Sequence, residues 1–539
     1  MSRAPAHETE RAYSAEKPEP VGTRIDAWWE RTLGSTRRQR AWYWGGPIGV
    51  TLLAAVLRLW HLGDPRALVF DETFYVKDSW TLLHLGYEGS WPANADLAFN
   101  SGAVNGYTAV GSYVAHPPLG KWLIALGLQV FGAQNTVGWR ISTAIVGILA
   151  VLLLVIIARM LFDSTILATI AGGLFAIDGH AIVLSRTALL DNFVMFFTLL
   201  GFLAVLLDRG QSAVRLAVWL ARRQRQQRSI DWGPAICWRP WLFTAGVLFG
   251  AASAIKWSGL YFLAAFAIYT LLVDAFARRR AGIQFWASGT LWRQGPVTFL
   301  LTIPLALVSY LASWTGWFVT KGGYYRDWAD LPGNAAKGFF SLVPHSVQSF
   351  LHYQASVYDF NVNEHTAHPY AASPFTWLFL FRPTAFYYVG QNQGVAGCSF
   401  SSCAEYVTSI ANPLLWWSAT AAVFYLLYRL MRFREWRVGL ILMGILAGYL
   451  PWLMYSDRTI FQFYAIVFEP YMILALVFLI GIILGTRRDS RWRRLSGIRL
   501  IATFLILVVL ISAFFYPVWT GTQIPTAFAE LHYWFPGWR

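Results

Sequence analysis

Leu68-Val69-Phe70-Asp71-Glu72-Thr73-Phe74-Tyr75 places two adjacent carboxylates in an apolar setting, just after the first long hydrophobic run of the chain. Many further runs of similar length follow it, so the stretch reads as a short link at the edge of a membrane bundle. Carboxylates are costly near a bilayer and tend to be kept there for function. The apolar flanks hold Asp71 and Glu72 at the membrane edge rather than in a free loop. A solvated interfacial dipeptide would look the same in isolation, so the rest of the chain has to decide.

Of 539 residues, 56% are hydrophobic and only 13% are charged, which exceeds the apolar content a soluble domain needs. Twenty-eight Trp and 25 Tyr suit many membrane–water boundaries, where amphipathic rings collect. The net charge of +15 raises a nucleic-acid reading. The basic residues, however, cluster between hydrophobic runs without interleaved aromatics, so no nucleic-acid partner is expected. Cys398 and Cys403 lie in the longest polar loop, and a disulfide between them is expected only if that loop faces an oxidising compartment. No Cys/His spacing suits structural zinc. Asp71 and Glu72 offer ligands to a divalent cation, but their spacing does not require one. The first 40 residues have no apolar core, so 1–43 is expected to be a disordered cytoplasmic tail preceding one transmembrane domain, 44–539.

Hydropathy places spans near 44–60, 138–158, 165–178, 188–207, 241–256, 258–276, 296–318, 412–430, 438–455, 463–485 and 499–519. The segment 119–133 is also apolar, but counting it as a span scatters the Arg-rich stretches at 37–40, 209–239, 278–280, 429–437 and 487–494 over both sides. It is short for a span, and Pro117-Pro118 starts it cleanly, so it is expected to lie along the interface. The expected architecture is an all-α polytopic membrane protein with eleven spans, N-terminus inside and C-terminus outside. The outer loops are 61–137, which includes the interfacial helix, and 319–411. The first holds six acids before residue 119, and the second has only four basic residues and is rich in Tyr, Trp, Gly, Pro and His, so it is expected to be ordered.

This topology gathers several polar residues on one outer edge. They are the acid pair, His116 and Lys121 in His116-Pro117-Pro118-Leu119-Gly120-Lys121, Arg140, Arg186 and Asp191 at the fourth span, Lys256 at the fifth, and Asp457-Arg458 after the ninth. Two acids with several cations suit a substrate that is anionic and lipid-anchored. Arg grips a phosphate as a fork and Lys as a point charge, while one acid takes a proton from a nucleophile. Each cation has a plainer reading as a side chain snorkelling to headgroups. His116 also fits as a satisfied loop histidine.

The order Phe70-Asp71-Glu72, the His116–Lys121 motif, Arg140, Ser185-Arg186…Leu189-Leu190-Asp191 and Lys256-Trp257-Ser258-Gly259-Leu260 resembles the protein O-mannosyltransferases, particularly their actinobacterial-type members. The resemblance runs from about residue 44 to the end and implies the C-type glycosyltransferase fold. It implies transfer of mannose from a polyprenyl-phosphate-mannose donor in the plasma membrane to Ser or Thr hydroxyls of secreted proteins near the secretion channel. It also places the catalytic base on Asp71, with Glu72 beside it, and associates Arg140 and Lys256 with the donor phosphate; Arg458 is a further candidate. His116, Lys121, Arg186 and Asp191 are the remaining candidates for substrate binding. Eukaryotic members carry a folded sugar-binding-like domain in the large outer loop, for which 319–411 is too short, so acceptor selection must differ. Two rivals stand beside this reading. One is a transferase of the same fold that moves another sugar to a lipid or glycan. The other is a transporter or flippase, which predicts charges at mid-bilayer rather than on one edge.

Overall fold

The computed structural model describes residues 22–539. Its helices begin with α1 (Arg24–Thr32), α2 (Thr36–Leu59), α3 (Glu72–Leu85), α4 (Ala95–Asn100), α5 (Leu119–Phe131), α6 (Thr136–Phe162), α7 (Thr165–Ile177) and α8 (Gly179–Arg186). They continue with α9 (Asp191–Arg225), α10 (Pro240–Ser253), α11 (Gly259–Arg280) and α12 (Trp286–Ser313). The last five helices of more than six residues are α13 (His345–Asn363), α14 (Pro413–Phe433), α15 (Trp436–Leu453), α16 (Glu469–Leu484) and α17 (Arg491–Thr520).

Among the described residues, α6, α9, α11, α12, α14, α15 and α17 are each long and apolar enough to cross a bilayer. The pair α7–α8 adds an eighth if it is one span bent by 60°. Helix length alone therefore does not recover the eleven expected spans. The run 44–60 falls in α2, whose first turns are polar, and 241–256 and 463–485 fall in α10 and α16, of 14 and 16 residues. At ~1.5 Å per residue neither helix spans ~30 Å of hydrocarbon by itself.

The expected disordered tail needs correcting in its second half; its first 21 residues lie outside the described residues. Thr23 and Asp26 form a reciprocal capping box that starts α1. Asp26 then pairs with Arg494 at 2.9 Å and Glu30 pairs with Arg487, fastening α1 to the start of α17.

The segment expected to lie along the interface forms α5, which packs on α3 and α6. A Cβ on Gly127 would stand 2.3 Å from the Gly138 carbonyl oxygen, so only glycine permits so close a crossing of α5 over α6. The two loop regions meet through an aromatic cluster of Trp314, Trp317, Phe350 and Tyr353, where the Val114 amide donates to the Tyr353 hydroxyl at 3.1 Å. The second loop is ordered: besides α13 it carries an antiparallel hairpin of β1 (Ala385–Asn392) and β2 (Ser402–Thr408). Two C-terminal residues, β3 (Ile524–Pro525), extend that sheet in the order β1-β2-β3. A Cys398–Cys403 disulfide closes the hairpin.

Candidate active site

Phe70 adopts a positive φ of 47°, a turn in the backbone that ends the preceding segment and lets α3 begin at Glu72. Asp71 occupies the position before the helix, yet its side chain caps nothing. Among the described residues its one hydrogen bond comes from the Tyr75 hydroxyl, which donates to Oδ2 at 3.3 Å. Tyr75 lies one helical turn on, so both side chains share a face. The Tyr75 ring is also 6.1 Å from that of His116. Asp71 thus keeps a carboxylate with vacant acceptor sites and part of its surface open. Burial pushes this carboxyl up to about 6; the Lys256 charge pulls it down and the Asp191 charge pushes it up.

The adjacent acid is built differently. Glu72 is fully buried. Its Oε1 accepts from Arg140 Nε and from the Ala188 amide, both at 2.8 Å. Its Oε2 accepts from Arg140 Nη2 at 2.9 Å and from the Val69 amide at 3.0 Å. Arg140 also donates to the carbonyls of Leu62, Pro65 and Ala67. All five of its N–H groups are engaged. The expected role of Arg140 as a phosphate ligand therefore meets an obstacle, because the fork already holds the 62–72 link. Glu72 has no lone pair left for a cation.

Lys121 and Arg186 are likewise committed to the fold. The ammonium of Lys121 is buried against Glu88 at 2.6 Å and Asp78 at 3.6 Å, which ties α5 to the end of α3. Arg186 donates to the carbonyls of Arg58, Trp60 and His61 at 3.0, 2.6 and 2.8 Å and so satisfies the C-terminal end of α2.

The other candidates converge. A cavity of about 100 Å³ is lined by His116, Asp191, Lys256 and Arg458, with Trp257, Asn361 and Tyr464 among the neighbours. Asp71 does not line it but lies within electrostatic reach of Lys256 and Asp191. Gly259 forms the tight turn that delivers Lys256, since a Cβ there would be 2.4 Å from the Ser253 amide nitrogen. Lys256 Nζ pairs with Asp191 at 2.7 Å and stands 4.9 Å from the Tyr464 ring centre. Asp191 is the first residue of α9, where the helix dipole favours a negative charge. Arg458 Nη2 donates to Asn361 at 3.1 Å, while its buried Nε has no partner among the described residues. An orphaned cationic donor on a cavity wall fits an anion. His116 is held well below its usual range, first by burial and then by Lys256, Lys121 and Arg458, so it is a neutral imidazole. The Arg458 segment is laced to the chain after α13: the Thr459 amide donates to the Glu364 carbonyl at 3.0 Å and the Thr459 hydroxyl donates to the Thr366 carbonyl at 2.5 Å. Nearby, His368 packs edge-on against Phe70 at 5.7 Å. Among the described residues no three His, Cys, Asp or Glu side chains form a ligand set for a metal.

Residues 48–315 match the family model described as dolichyl-phosphate-mannose-protein mannosyltransferase, and 346–538 match the C-terminal four-transmembrane region of protein O-mannosyltransferases. The chain belongs to this family. It is 35% identical over 509 residues to the polyprenol-phosphate-mannose–protein mannosyltransferase of Mycolicibacterium smegmatis, covering 93% of this chain and 94% of that protein. The Corynebacterium glutamicum protein of the same name is 32% identical over 501 residues, covering 91% and 92%. In fold, the chain superposes on a subunit of the donor-bound Saccharomyces cerevisiae protein O-mannosyltransferase complex with a TM-score of 0.67 at 14% identity, over 96% of this chain and 95% of the other. The fold is thus the C-type glycosyltransferase fold of a multi-pass membrane protein.

The arrangement brings one partly open carboxylate and two cations together near a small cavity. Tyr75, Asn361 and Tyr464 are parts of the site that sequence reasoning missed. Tyr75 had a readable signal, its spacing of four from Asp71 at a helix start. Asn361 and Tyr464 carried none, because they reach the cavity from the end of α13 and from a 3-10 turn at 462–467 that only the fold brings near.

Proposed function

We propose that this protein transfers mannose from a polyprenyl-phosphate-mannose donor to Ser and Thr hydroxyls of secreted proteins, by a single inverting displacement on the outer face of the plasma membrane. The observation that carries this reading is the contrast between consecutive acids: Asp71 keeps vacant acceptor sites within electrostatic reach of Lys256 on the cavity wall, whereas Glu72 is closed in an ion pair. Relatives named for this activity resemble the chain over more than nine-tenths of its length.

Asp71 accepts the proton of the acceptor hydroxyl as that oxygen bonds to the anomeric carbon. The bond from this carbon to the phosphate oxygen breaks, and its electron pair leaves with the lipid phosphate. Lys256 and Arg458 stabilise the charge that grows there. A phosphate departs without being protonated, so the second carboxylic acid of glycosidases is unnecessary. A β-linked donor gives an α-mannoside. Arg140 serves this chemistry indirectly, by fixing the link that ends in Asp71.

The charge pattern supports the outward orientation. Helix α9 starts with Asp191 and ends with Arg222, Arg223 and Arg225, and α11 ends with Arg278, Arg279 and Arg280. Basic ends tend to stay in the cytoplasm, which supports an outer position for Asp191 and the cavity, on the side where secreted chains emerge. The test is transfer of radiolabelled mannose from a polyprenyl-phosphate-mannose to a Ser/Thr peptide by the purified protein in vesicles. Labelled lipid or glycan in place of peptide would reject the protein acceptor, and no sugar transfer with lipid movement would reject the enzyme.

A further inference from the structure

We infer that the free edge of β1 is a docking rail on which the acceptor polypeptide adds as an extended strand and is led to Asp71. This rests on the reading above, in which the acceptor is a protein.

The sheet order leaves β1 on the outside, with β2 on its other side. Between Ala385 and Gln391 the β1 backbone makes no hydrogen bond beyond its pairing with β2 among the described residues. Alternate N–H and C=O groups therefore point outward, and an open edge of this kind readily pairs with another chain. Exposed edges are commonly blunted by Lys, Pro or inward charges. β1 has none of these: Ala385–Asn392 reads AFYYVGQN, without a charge or a proline. Tyr388 is 58% exposed, and its ring pairs with that of Tyr406 across the hairpin at 4.8 Å. Gly390 and Asn392 are exposed as well.

The inner end of this strand lies beside the reacting carboxylate. Phe386 stacks on Phe70 with ring centres 5.0 Å apart and planes at 27°, and Phe70 directly precedes Asp71. A register irregularity between Ala385 and Tyr387 re-aims the strand at that end. A chain pairing along β1 would thus arrive at the base already extended. Main-chain pairing gives affinity with little demand on side chains, which suits an enzyme that reads a hydroxyl and tolerates its neighbours. The rival occupant is β1 of a second copy, but an edge that ends against Phe70, the residue before Asp71, favours the substrate.

A scan of N-methylated acceptor peptides tests this. Methylation removes one backbone donor at a time, and in an added strand only alternate residues face β1. The expected result is a period-two pattern: methylation at alternate positions raises the peptide KM about five- to tenfold, the positions between them have little effect, and the donor KM stays constant. Efficient mannosylation with no such alternation would overturn the rail and leave the function standing. No transfer to the unmodified peptide would overturn the function and the rail with it. A second arm uses Asn392→Cys and peptides carrying a chloroacetyl group. Phe386 and Asn392 are six steps apart, ~20 Å along a strand, so labelling should peak with the group about six residues from the acceptor Ser. Labelling that ignores this spacing, or copies that cross-link to each other through the new cysteine in preference to the peptide, would overturn the proposal.

Discussion

Glu72 and Arg140 hold each other through two hydrogen bonds, at 2.8 and 2.9 Å, at a depth that water does not reach. Breaking a buried pair by removing one partner strands the other charge and typically costs about 3–5 kcal/mol. Glu72→Gln and Arg140→Ala should therefore lower the yield of folded protein and its thermal midpoint. Arg140→Lys should also destabilise, because a point charge cannot replace five donors. Thermal unfolding in detergent measures this. A variant with wild-type stability and a raised donor KM would instead return Arg140 to the phosphate.

Asp71→Asn should leave the fold intact, since among the described residues the wild-type side chain has only the Tyr75 hydroxyl as partner. Transfer should fall by ~10²–10⁴, the usual cost of losing a general base. Initial rates of peptide mannosylation, compared in preparations of equal thermal midpoint, decide the matter. Near-normal turnover would remove Asp71 from its role.

The pH profile should rise through the Asp71 titration. A base works when deprotonated, and burial pushes this carboxyl up to about 6, so kcat/KM should climb across pH 5–7 and then level. Asp78 is also pushed up to about 6 by burial, although Lys121 opposes that shift. Asp78→Asn should keep the rising limb, which distinguishes the two groups. The sign for stability is the reverse of that for rate. The folded protein holds these protons more tightly than the unfolded chain, so their contribution is full below the ordinary pKa of 3.8 and is lost as pH rises through about 6.

Lys256→Ala and Arg458→Ala should raise the donor KM and also lower kcat, because charge on the phosphate grows as the bond breaks. The Lys256 change carries a second effect: it leaves Asp191 unpaired beside Asp71, where two like charges push the base further up. Its pH limb should move to higher pH than that of the wild type. Steady-state rates against donor concentration at several pH values would separate the two effects. A Lys256→Ala limb identical to wild type would contradict this electrostatic link.

Cysteine accessibility tests the orientation. A cysteine in the Arg-rich stretch 222–228 should react only with reagent on the cytoplasmic side, and one replacing Asn334 only with reagent outside. Labelling of both from one side would reject the sidedness of the site.

Much of this was legible because membranes limit where charge can sit. Asp71, Asp191 and Lys256 stand at the ends of apolar runs, and the arginine pattern put those ends on one side before any geometry was known. Arg140 and Arg186 stand at similar ends and read identically, yet one clamps Glu72 and the other caps α2. Sequence position says that a cation lies at the boundary but not which carbonyls have curled back to meet it. Glu72 was hidden for the same reason, since its partner is 68 residues away. The helix α1 was missed because its support is a capping box and two ion pairs, one to Arg487 just before α17 and one to Arg494 within it, rather than an apolar stripe. Arg458 was found by its place after a span, and its orphaned Nε belongs to the fold alone.

The lacing of Thr459 to Glu364 and Thr366 sets a limit on how this enzyme can diversify. One short segment borders Arg458 at its start and, through His368, the ring of Phe70 at its end. In the proposed mechanism, the donor side and the acceptor side of the reaction centre therefore share a single strip of backbone. A graft that replaced this strip to change which proteins are modified would carry the lipid-phosphate side with it. Selectivity for sugar carrier and for protein should accordingly drift together among natural variants of this loop.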